Sequence, residues 1–446
     1  MMDLEPCYNF ENQAEGIRLE QNLQSSFNLG GKEFNPLAEV VLDTDWSADI
    51  RTEIQLDFEG YLSSASSMSG TNYIILNGQK ISAFISGITP SSSRRTVVTF
   101  TPNQEPFPII GVDETRLSKV IFHLFSFKDE FGTTHKVIES GDSLRVSGIT
   151  ELESPNWKIE LHESSTIEKS DRRKNRNPSL THVCCLSRAD GSEFDGKDAR
   201  QMMLDLRLFF TFCQGAFCPP VMPVGYDTNE NKVWALGLSP HQPGKSSMSW
   251  FDPHHSEELD ILFPNFMSRL EDERWRETFH TVIYWGARSN NTSGSGIDTG
   301  IILTQIAIER LAYEYSIDSQ EKDEAYSKLT RASDKFRFLF SYLEIPQEIP
   351  NNFIKIRKLA KQEGFVDAPH FITELRNSMV HPDNKKRHLF TGLYPDAWRL
   401  GMWYLELAIL KLCSYEGTYA NRLTDDRWVG QVEEVPWVTA QADSVV

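Results

Sequence analysis

The stretch ELRNSMVHPD, residues 374 to 383, places an arginine and a histidine at the end of a helical pattern. A guanidinium such as that of Arg376 can hold two phosphate oxygens at once and neutralise the charge that develops on them. An imidazole such as that of His381 can move protons to or from an attacking or leaving oxygen. Because RNA supplies its own nucleophile in the 2′-hydroxyl group, this chemistry requires no metal ion.

The same two residues are also typical of an ordinary helix terminus. On a regular helix, positions five residues apart differ by about 140°, so Arg376 and His381 would not share a face. Pro382 disfavours helical backbone in the residue before it, which predicts that the helix ends here and frees the geometry. The pattern alone leaves a catalytic pair and a structural terminus open.

The segment around this motif is basic in an acidic chain. Residues 355 to 390 carry eight Lys and Arg against four acidic side chains, a net charge of +4, whereas the whole chain of 446 residues has a formal charge of −18. That overall charge opposes the coating of DNA or of an anionic membrane, since its long-range field repels both. A locally basic site remains compatible with RNA.

The elements that would position the motif form an α+β multidomain fold. Short strands separated by turn residues predict a β-rich, sandwich or barrel-like domain over residues 1–240, closed by a helix at 195–215 and a hairpin. The stretch SPHQPGKSSMSWFDPHH, residues 239 to 255, is typical of a domain boundary. Residues 255–425 predict an all-α bundle of five or six helices, the first broken or restarted near Pro264, and residues 426–446 an irregular acidic tail. The polar segment 169–179 predicts an exposed loop, with RNA contact as the alternative.

Six cysteines raise the question of a metal site. Cys184 and Cys185 are adjacent, and Cys213 and Cys218 are five apart, so neither pair has the usual zinc spacing with a matching second pair. We therefore expect no metal and no cofactor. The start of the chain lacks a secretory signal pattern and no apolar run reaches the roughly 18 residues of a membrane span, which predicts a cytoplasmic protein with reduced thiols.

LRNSMVHP resembles the Arg-polar-x-x-x-His signature of the HEPN (higher eukaryotes and prokaryotes nucleotide-binding) superfamily, with Arg376, Asn377 and His381 in its three places. Two flanking stretches are similar to helices of the ApeA-like HEPN group of bacterial anti-phage proteins. They are IDTGIILTQIAIERLAYEYS, which includes Glu309, and WRLGMWYLELAILKLCSYEGTYANR. FFTFCQGAFCPPVMPVGYD and VWALG look like the ApeA-type domain that precedes such a bundle.

The resemblance implies a metal-independent endoribonuclease that acts on RNA, with tRNA as one candidate substrate, in anti-phage defence or abortive infection. It implies a homodimer whose two Arg-His pairs face one another in a composite cleft. Arg376 would bind the scissile phosphate, His381 would act as general acid or base, and Asn377 would orient one of them or the phosphate through hydrogen bonds. The β-rich domain would sense a trigger, such as a phage-derived one, or restrain the nuclease.

Lys385, Lys386 and Arg387 follow the motif where they could hold the flanking RNA backbone, although solvated surface is an equal alternative for each. Two further alternatives concern the whole protein. One is a catalytically inactive HEPN scaffold for dimerisation or nucleotide binding, with a ligand-binding or protein-binding β domain. The other is a carbohydrate-binding β-sandwich with a helical oligomerisation domain, which leaves the motif without a role.

Overall fold

The computed structural model describes residues 4–9, 17–43, 47–56, 72–92, 95–128, 132–140, 143–164, 179–238, 247–291, 296–381 and 387–443. The chain divides into two compact units. The first consists of Met1–Phe127, Lys136–Arg207 and Cys218–Pro243. The second consists of Lys128–His135, Leu208–Phe217 and Gly244–Val446, so it includes two short segments from the front half of the sequence.

The first unit begins with an antiparallel sheet that closes on itself. Strand β1 pairs with β3 on one side and with β5 on the other, which makes a closed ring in the order β1-β3-β4-β7-β6-β5, and β2 pairs with the end of β1. Alternate residues of β6 (Ile81, Ala83 and Ile85) are buried because side chains of a strand point to opposite faces. The strands are β1 (Ile17–Leu29), β2 (Lys32–Phe34), β3 (Leu37–Leu42), β4 (Ala48–Gln55), β5 (Asn72–Leu76), β6 (Gln79–Ser92) and β7 (Arg95–Pro102).

A second sheet of eight strands follows in the same unit. Its order is β11-β12-β13-β14-β10-β16-β17-β8, and its central strand β10 is buried almost along its whole length. The strands are β8 (Phe107–Ile110), β9 (Arg116–Leu117), β10 (Lys119–Phe125), β11 (Thr134–Ser140), β12 (Ser143–Glu153), β13 (Trp157–Glu163), β14 (Leu180–Arg188), β15 (Phe194–Asp195), β16 (Val221–Tyr226) and β17 (Lys232–Gly237), with β9 and β15 forming a separate small pair. One hydrophobic cluster draws residues from both large sheets, for example Phe27 and Phe100 from the first and Phe125 and Val183 from the second.

A buried histidine lies inside this first unit. The Nε2 atom of His123 accepts a hydrogen bond from the backbone N–H of Cys7 at 3.1 Å, and its Nδ1 lies 3.1 Å from the carbonyl oxygen of Val221. This arrangement places the single proton of a neutral imidazole on Nδ1. Burial lowers the pKa of His123 to about 4, because desolvation disfavours the charged ring.

The second unit is helical. Its long helices pack around α4, which contacts α3, α6 and α9. The helices are α1 (Gly196–Gln214, whose last turns belong to this unit), α2 (Glu257–Glu271), α3 (Glu273–Asn290), α4 (Ile297–Ser316), α5 (Gln320–Ser327), α6 (Ala332–Tyr342), α7 (Ile354–Glu363), α8 (Ala368–Val380), a short 3-10 helix (Arg387–Phe390), α9 (Tyr394–Leu412) and α10 (Pro436–Asp443). Strands β18 (Thr418–Tyr419) and β19 (Glu433–Glu434) form a small ribbon.

Charged side chains inside the second unit are held by polar partners. The guanidinium of Arg422 is fully buried and binds both carboxylate oxygens of Glu406, at 3.0 and 2.6 Å. Lys128 is buried, and its Nζ donates to the hydroxyl of Ser249 and to the carbonyl oxygen of Phe251 at 2.7 Å. Burial lowers the pKa of Lys128 to about 7.

The broad prediction of β-rich sheets followed by helices is confirmed, and three details of it were wrong. Pro264 lies inside α2, and the break comes at Asp272, whose side chain accepts from the backbone N–H of Arg274 and begins α3. Residues 257–412 hold eight α-helices in their described part, not five or six, because α2 and α3, and likewise α5 and α6, are separate helices. The tail predicted as irregular over 426–446 includes β19 and α10, and Trp437 of α10 is buried. No helix in the described ranges combines the length and the apolar character needed to cross a membrane.

Candidate functional site at the end of helix α8

Helix α8 is fixed at its start by a charged cap. The carboxylate of Asp367, the N-cap residue, accepts from the backbone N–H of His370 at 2.8 Å. The same carboxylate receives two hydrogen bonds from Arg337 of α6, at 2.6 and 3.0 Å. These bonds raise the pKa of Arg337. The cap and the ion pair therefore attach the start of α8 to α6.

The helix ends where the sequence analysis expected. Val380 is its last residue, and His381 has an extended backbone with φ −103° and ψ 111°. The backbone N–H of His381 donates to the carbonyl oxygen of Asn377 at 3.1 Å, which closes the last turn. The side chain of Asn377 is half-buried, whereas His381 is exposed to solvent.

Arg376 lies one turn before that end, against helix α4. Its Nη2 atom is 3.9 Å from the Oε1 atom of Glu309, which is an ion pair but is longer than a hydrogen bond. The Nε atom of Arg376 is buried, and no acceptor among the described residues reaches it. The side chain keeps 24% of its surface exposed, so its terminal nitrogens have donors that Glu309 does not occupy.

A buried amide one turn earlier holds the two helices in register. Gln305 precedes Glu309 by four residues on α4, and its Nε2 atom donates to the carbonyl oxygen of Ile372, four residues before Arg376, at 2.7 Å. Residues four apart share a face of a helix, so the Gln305 bond fixes the position at which Glu309 meets Arg376. Gln305 was not predicted from the sequence.

Two tyrosines lie beside Glu309. Burial, followed by the nearby charges of Glu309 and the phenol of Tyr313, raises the pKa of Tyr326 to about 12. The rings of Tyr313 and Tyr326 have centroids 6.2 Å apart. Tyr313 lies one turn after Glu309 on α4, so it shares a face of that helix with the carboxylate that pairs with Arg376.

Of the three predicted substrate-binding residues, the structure describes only Arg387. Lys385 and Lys386 lie outside the described residues, as does almost all of the predicted loop 169–179. Arg387 is the first residue of the short 3-10 helix. Arg376, Asn377 and His381 are together at the C-terminal end of α8, and Glu309 joins them from α4.

Cysteines do not form a metal cluster in the part of the chain that the structure describes. None of the six forms a disulfide, and Cys184, Cys213, Cys218 and Cys413 are buried. Burial raises the pKa of Cys185 and of Cys413 to about 12, so neither is a ready thiolate. The described residues contain no group of three or more His, Cys, Asp or Glu placed to hold an ion.

A separate open cavity of about 540 Å³ in the second unit is lined by amides and carboxylates, among them Asn352, Asn421 and Asp425. Two of its amides have partners within the protein: that of Asn352 donates to the carbonyl oxygen of Leu423 at 2.7 Å, and that of Asn421 to the carboxylate of Glu433 at 2.8 Å. None of the residues of the Arg376 site lines it. These bonds give the cavity a structural explanation.

Comparison with known proteins places the chain in a family. Residues 112–242 match the model of the YopA central domain and residues 272–434 that of the YopA C-terminal domain; neither is a HEPN or ApeA model. The SPbeta prophage-derived uncharacterized protein YopA of Bacillus subtilis (strain 168) is 31% identical over 373 residues, which cover 81% of this chain and 80% of that protein. No solved structure matches. The chain therefore belongs to the YopA family.

Proposed function

We propose that this protein is a HEPN-type endoribonuclease that cleaves RNA without a metal ion, with tRNA as a candidate substrate, and that Arg376 and His381 carry the reaction. The observation that carries the proposal is the end of α8. There a half-buried arginine with unoccupied donors is followed within five residues by a solvent-exposed histidine. The resemblance of the surrounding helices to the HEPN superfamily supports the same assignment.

The chemistry follows from these two groups. The terminal nitrogens of Arg376 bind two non-bridging oxygens of the scissile phosphate and stabilise the charge that builds on them. A base removes the proton of the 2′-hydroxyl, whose oxygen forms a bond to phosphorus while the bond from phosphorus to the 5′-oxygen breaks. An acid then protonates the 5′-oxygen. The products are a 2′,3′-cyclic phosphate and a 5′-hydroxyl, and His381 serves as the acid or the base.

Glu309 and Asn377 have supporting roles in this proposal. The carboxylate of Glu309, 3.9 Å from Arg376, limits the directions in which the guanidinium can point. The half-buried Asn377 is one residue from Arg376, and its amide can hydrogen-bond to the phosphate or to either reacting side chain.

A second copy of the chain completes the site. One imidazole cannot serve as base at the 2′-oxygen and as acid at the 5′-oxygen in the same step, so the proposed homodimer supplies a second His381. Bringing two copies together also doubles the local positive charge of residues 355 to 390, which offsets the acidity of the rest of the chain.

The biological setting is also part of the proposal. The B. subtilis relative is prophage-derived by its name, which supports a role connected with phage, such as defence or abortive infection. The first unit would restrain the nuclease until it meets a trigger, because unregulated RNA cleavage in the cytoplasm would harm the host.

The test is cleavage of total RNA and of tRNA by the purified full chain, with and without a chelator, beside Arg376→Ala and His381→Ala. His255→Ala, which alters another partly exposed histidine near a helix start, is the matched control. We expect cleavage that survives the chelator, yields cyclic phosphate ends, persists in the control and is lost in the two site variants. Toxicity on expression, abolished by His381→Ala, gives the same readout inside cells.

The rival proposal is an inactive scaffold that dimerises or binds nucleotides. It is favoured by the Arg376 and Glu309 ion pair, because an arginine beside a carboxylate can be purely structural. Equal cleavage by wild type and both site variants, or no cleavage and no toxicity for any of them, would overturn the nuclease proposal in favour of the scaffold.

A further inference from the structure

A row of aromatic rings extends across helices α4, α5 and α6. In order, its centroid distances are 6.2 Å from Tyr313 to Tyr326, 5.5 Å from Tyr326 to Phe338, 5.0 Å from Phe338 to Tyr342 and 5.9 Å from Tyr342 to Tyr315. We name these five residues the tyrosine surface. Phe338 is buried, whereas Tyr313 and Tyr342 are 48% and 42% exposed.

Two lysines lie over these rings. The Nζ atom of Lys322 is 3.7 Å from the ring centre of Tyr315 and 5.7 Å from that of Tyr342, and the Nζ atom of Lys335 is 5.4 Å from that of Tyr326. Cations at these distances are attracted to the ring faces. The carboxylate of Asp334 is bound by Arg337 at 2.5 Å within α6. The exposed acids of α5, Glu321, Asp323 and Glu324, are offset by four nearby cations, Lys322, Lys328, Arg331 and Lys335.

Packing alone explains the buried part of this surface but not the exposed part. Helix α5 has no buried residue of its own, and Tyr326 is its ring contact with α4 and α6. Tyr326 and Phe338, together with Lys322 of α5 over the rings of Tyr315 and Tyr342, attach α5. The half-exposed rings of Tyr313 and Tyr342 add little buried area, and a leucine or lysine would serve a solvated helix face equally well.

The tyrosine surface begins one helical turn from the Arg376 site. Tyr313 follows Glu309 by four residues on α4, so the two share one face of that helix. Glu309 in turn pairs with Arg376 at 3.9 Å. The exposed ring of Tyr313 therefore lies one turn from the carboxylate that meets the proposed catalytic arginine.

We infer that the tyrosine surface binds single-stranded RNA, with unpaired bases stacked on Tyr313 and Tyr342 and phosphates contacted by Lys322 and Lys335. Every base has a face that can stack on an aromatic ring, and interleaved cations suit the phosphates between them. The choice of RNA rests on the proposed function, since the neighbouring Arg376 and His381 require a 2′-hydroxyl. In this arrangement the surface selects unpaired strands and directs them to the cleavage site.

The test is fluorescence anisotropy of a labelled, unstructured RNA of 12 nucleotides in the His381→Ala background, so that cleavage cannot obscure binding. We expect Tyr313→Ala and Tyr342→Ala each to weaken binding about tenfold, and Tyr313→Phe and Tyr342→Phe, which keep the ring, to bind as the background does. Tyr73→Ala is the matched control, because Tyr73 is an exposed tyrosine of the first unit with the Nζ atom of Lys80 4.1 Å from its ring centre.

The lysines have a separate readout. Replacing both Lys322 and Lys335 with Gln should reduce the slope of log affinity against log salt concentration by about 1.4, which corresponds to two phosphate contacts on a single strand. A duplex RNA of the same length should bind the background variant at least tenfold more weakly than the single strand.

Several outcomes would overturn the inference. They are unchanged binding in both Tyr→Ala variants, equal loss in Tyr73→Ala, or loss of dimerisation rather than of RNA binding, which would make the surface an interface between copies. These failures are distinguishable from failure of the proposed function. RNA cleavage by wild type with no effect of the tyrosines refutes only the inference, whereas binding that depends on the tyrosines without cleavage refutes only the nuclease.

Discussion

The anchoring of α8 to α6 can be tested by replacing Asp367, and its size can be worked from the structure. Asp367→Ala removes the N-cap bond to His370, worth about 1 kcal/mol, and the two-point pair with Arg337, worth about 1 to 3 kcal/mol for partly buried charged groups. The side chains of Arg337 and Asp367 are 27% and 17% exposed, so solvent screens the pair only in part. We expect a total loss of about 2 to 4 kcal/mol.

Two further variants separate the contributions. Asp367→Asn keeps a good N-cap but removes the charge, so it should cost about half as much. Asp334→Ala removes the other carboxylate bound by Arg337; this pair is within α6 and more exposed, so its loss should cost under about 1 kcal/mol.

Amide hydrogen exchange of α8 is the suitable measurement, because a chain of two units need not unfold in one step. Exchange within Ala368–Val380 should accelerate by about 30- to 1000-fold in Asp367→Ala, with strand β10 of the first unit unaffected. An effect no larger than that of Asp334→Ala would refute the argument that this anchor positions the helix of Arg376. If the nuclease proposal holds, the variant with the faster amide exchange in α8 should also cleave RNA more slowly.

Three other outcomes are expected. Pro264→Ala should raise the free energy of unfolding of the second unit by up to about 3 kcal/mol, because it restores a backbone donor inside α2. Denaturant unfolding measures this change, and a loss of stability would contradict the prediction. The first unit should lose stability as the pH falls from about 6.5 to 4, since the unfolded chain binds a proton at His123 before the folded chain does. Measured by pH-dependent amide exchange, His123→Gln should lose less stability over this range. An equal loss would exclude His123 as the cause. The second unit should gain stability as the pH rises from about 7 to 10.5, since the folded state releases the proton of Lys128 at a lower pH than the unfolded state does. Lys128→Met should flatten that rise, as measured by thermal unfolding. An unchanged rise would count against Lys128 as its cause.

Features determined by local signals were predicted well from the sequence. Helix α8 ends before Pro382, as the restriction on the residue before proline requires. The same local rule was wrong at Pro264, because Phe263 and Phe266 on either side of it are fully buried and their packing keeps α2 continuous.

Contacts between distant residues could not be obtained in this way. Alternating residues show which face of a strand is buried but not which strand lies beside it, so a sandwich and a barrel remained open until Ser25 was seen opposite Leu76. The pairing of Arg376 with Glu309 spans 67 positions, and only the family resemblance pointed to Glu309. Gln305 was missed because a polar residue on a largely apolar helix gives no sign of the backbone atom that it binds.

The way in which the chain alternates between its units has a consequence for truncated products. The second unit contains Leu208–Phe217, where the ring of Phe209 packs 5.2 Å from that of Phe263 and the ring of Phe212 lies 5.6 Å from that of Trp250. A fragment that starts near residue 255 would lack both phenylalanines and Trp250, and it would expose the apolar surface that they cover. Proteolysis or internal initiation at the apparent boundary should thus yield an aggregating fragment. If the nuclease proposal holds, the order of segments along the chain would itself prevent the proposed activity from being separated from the first unit.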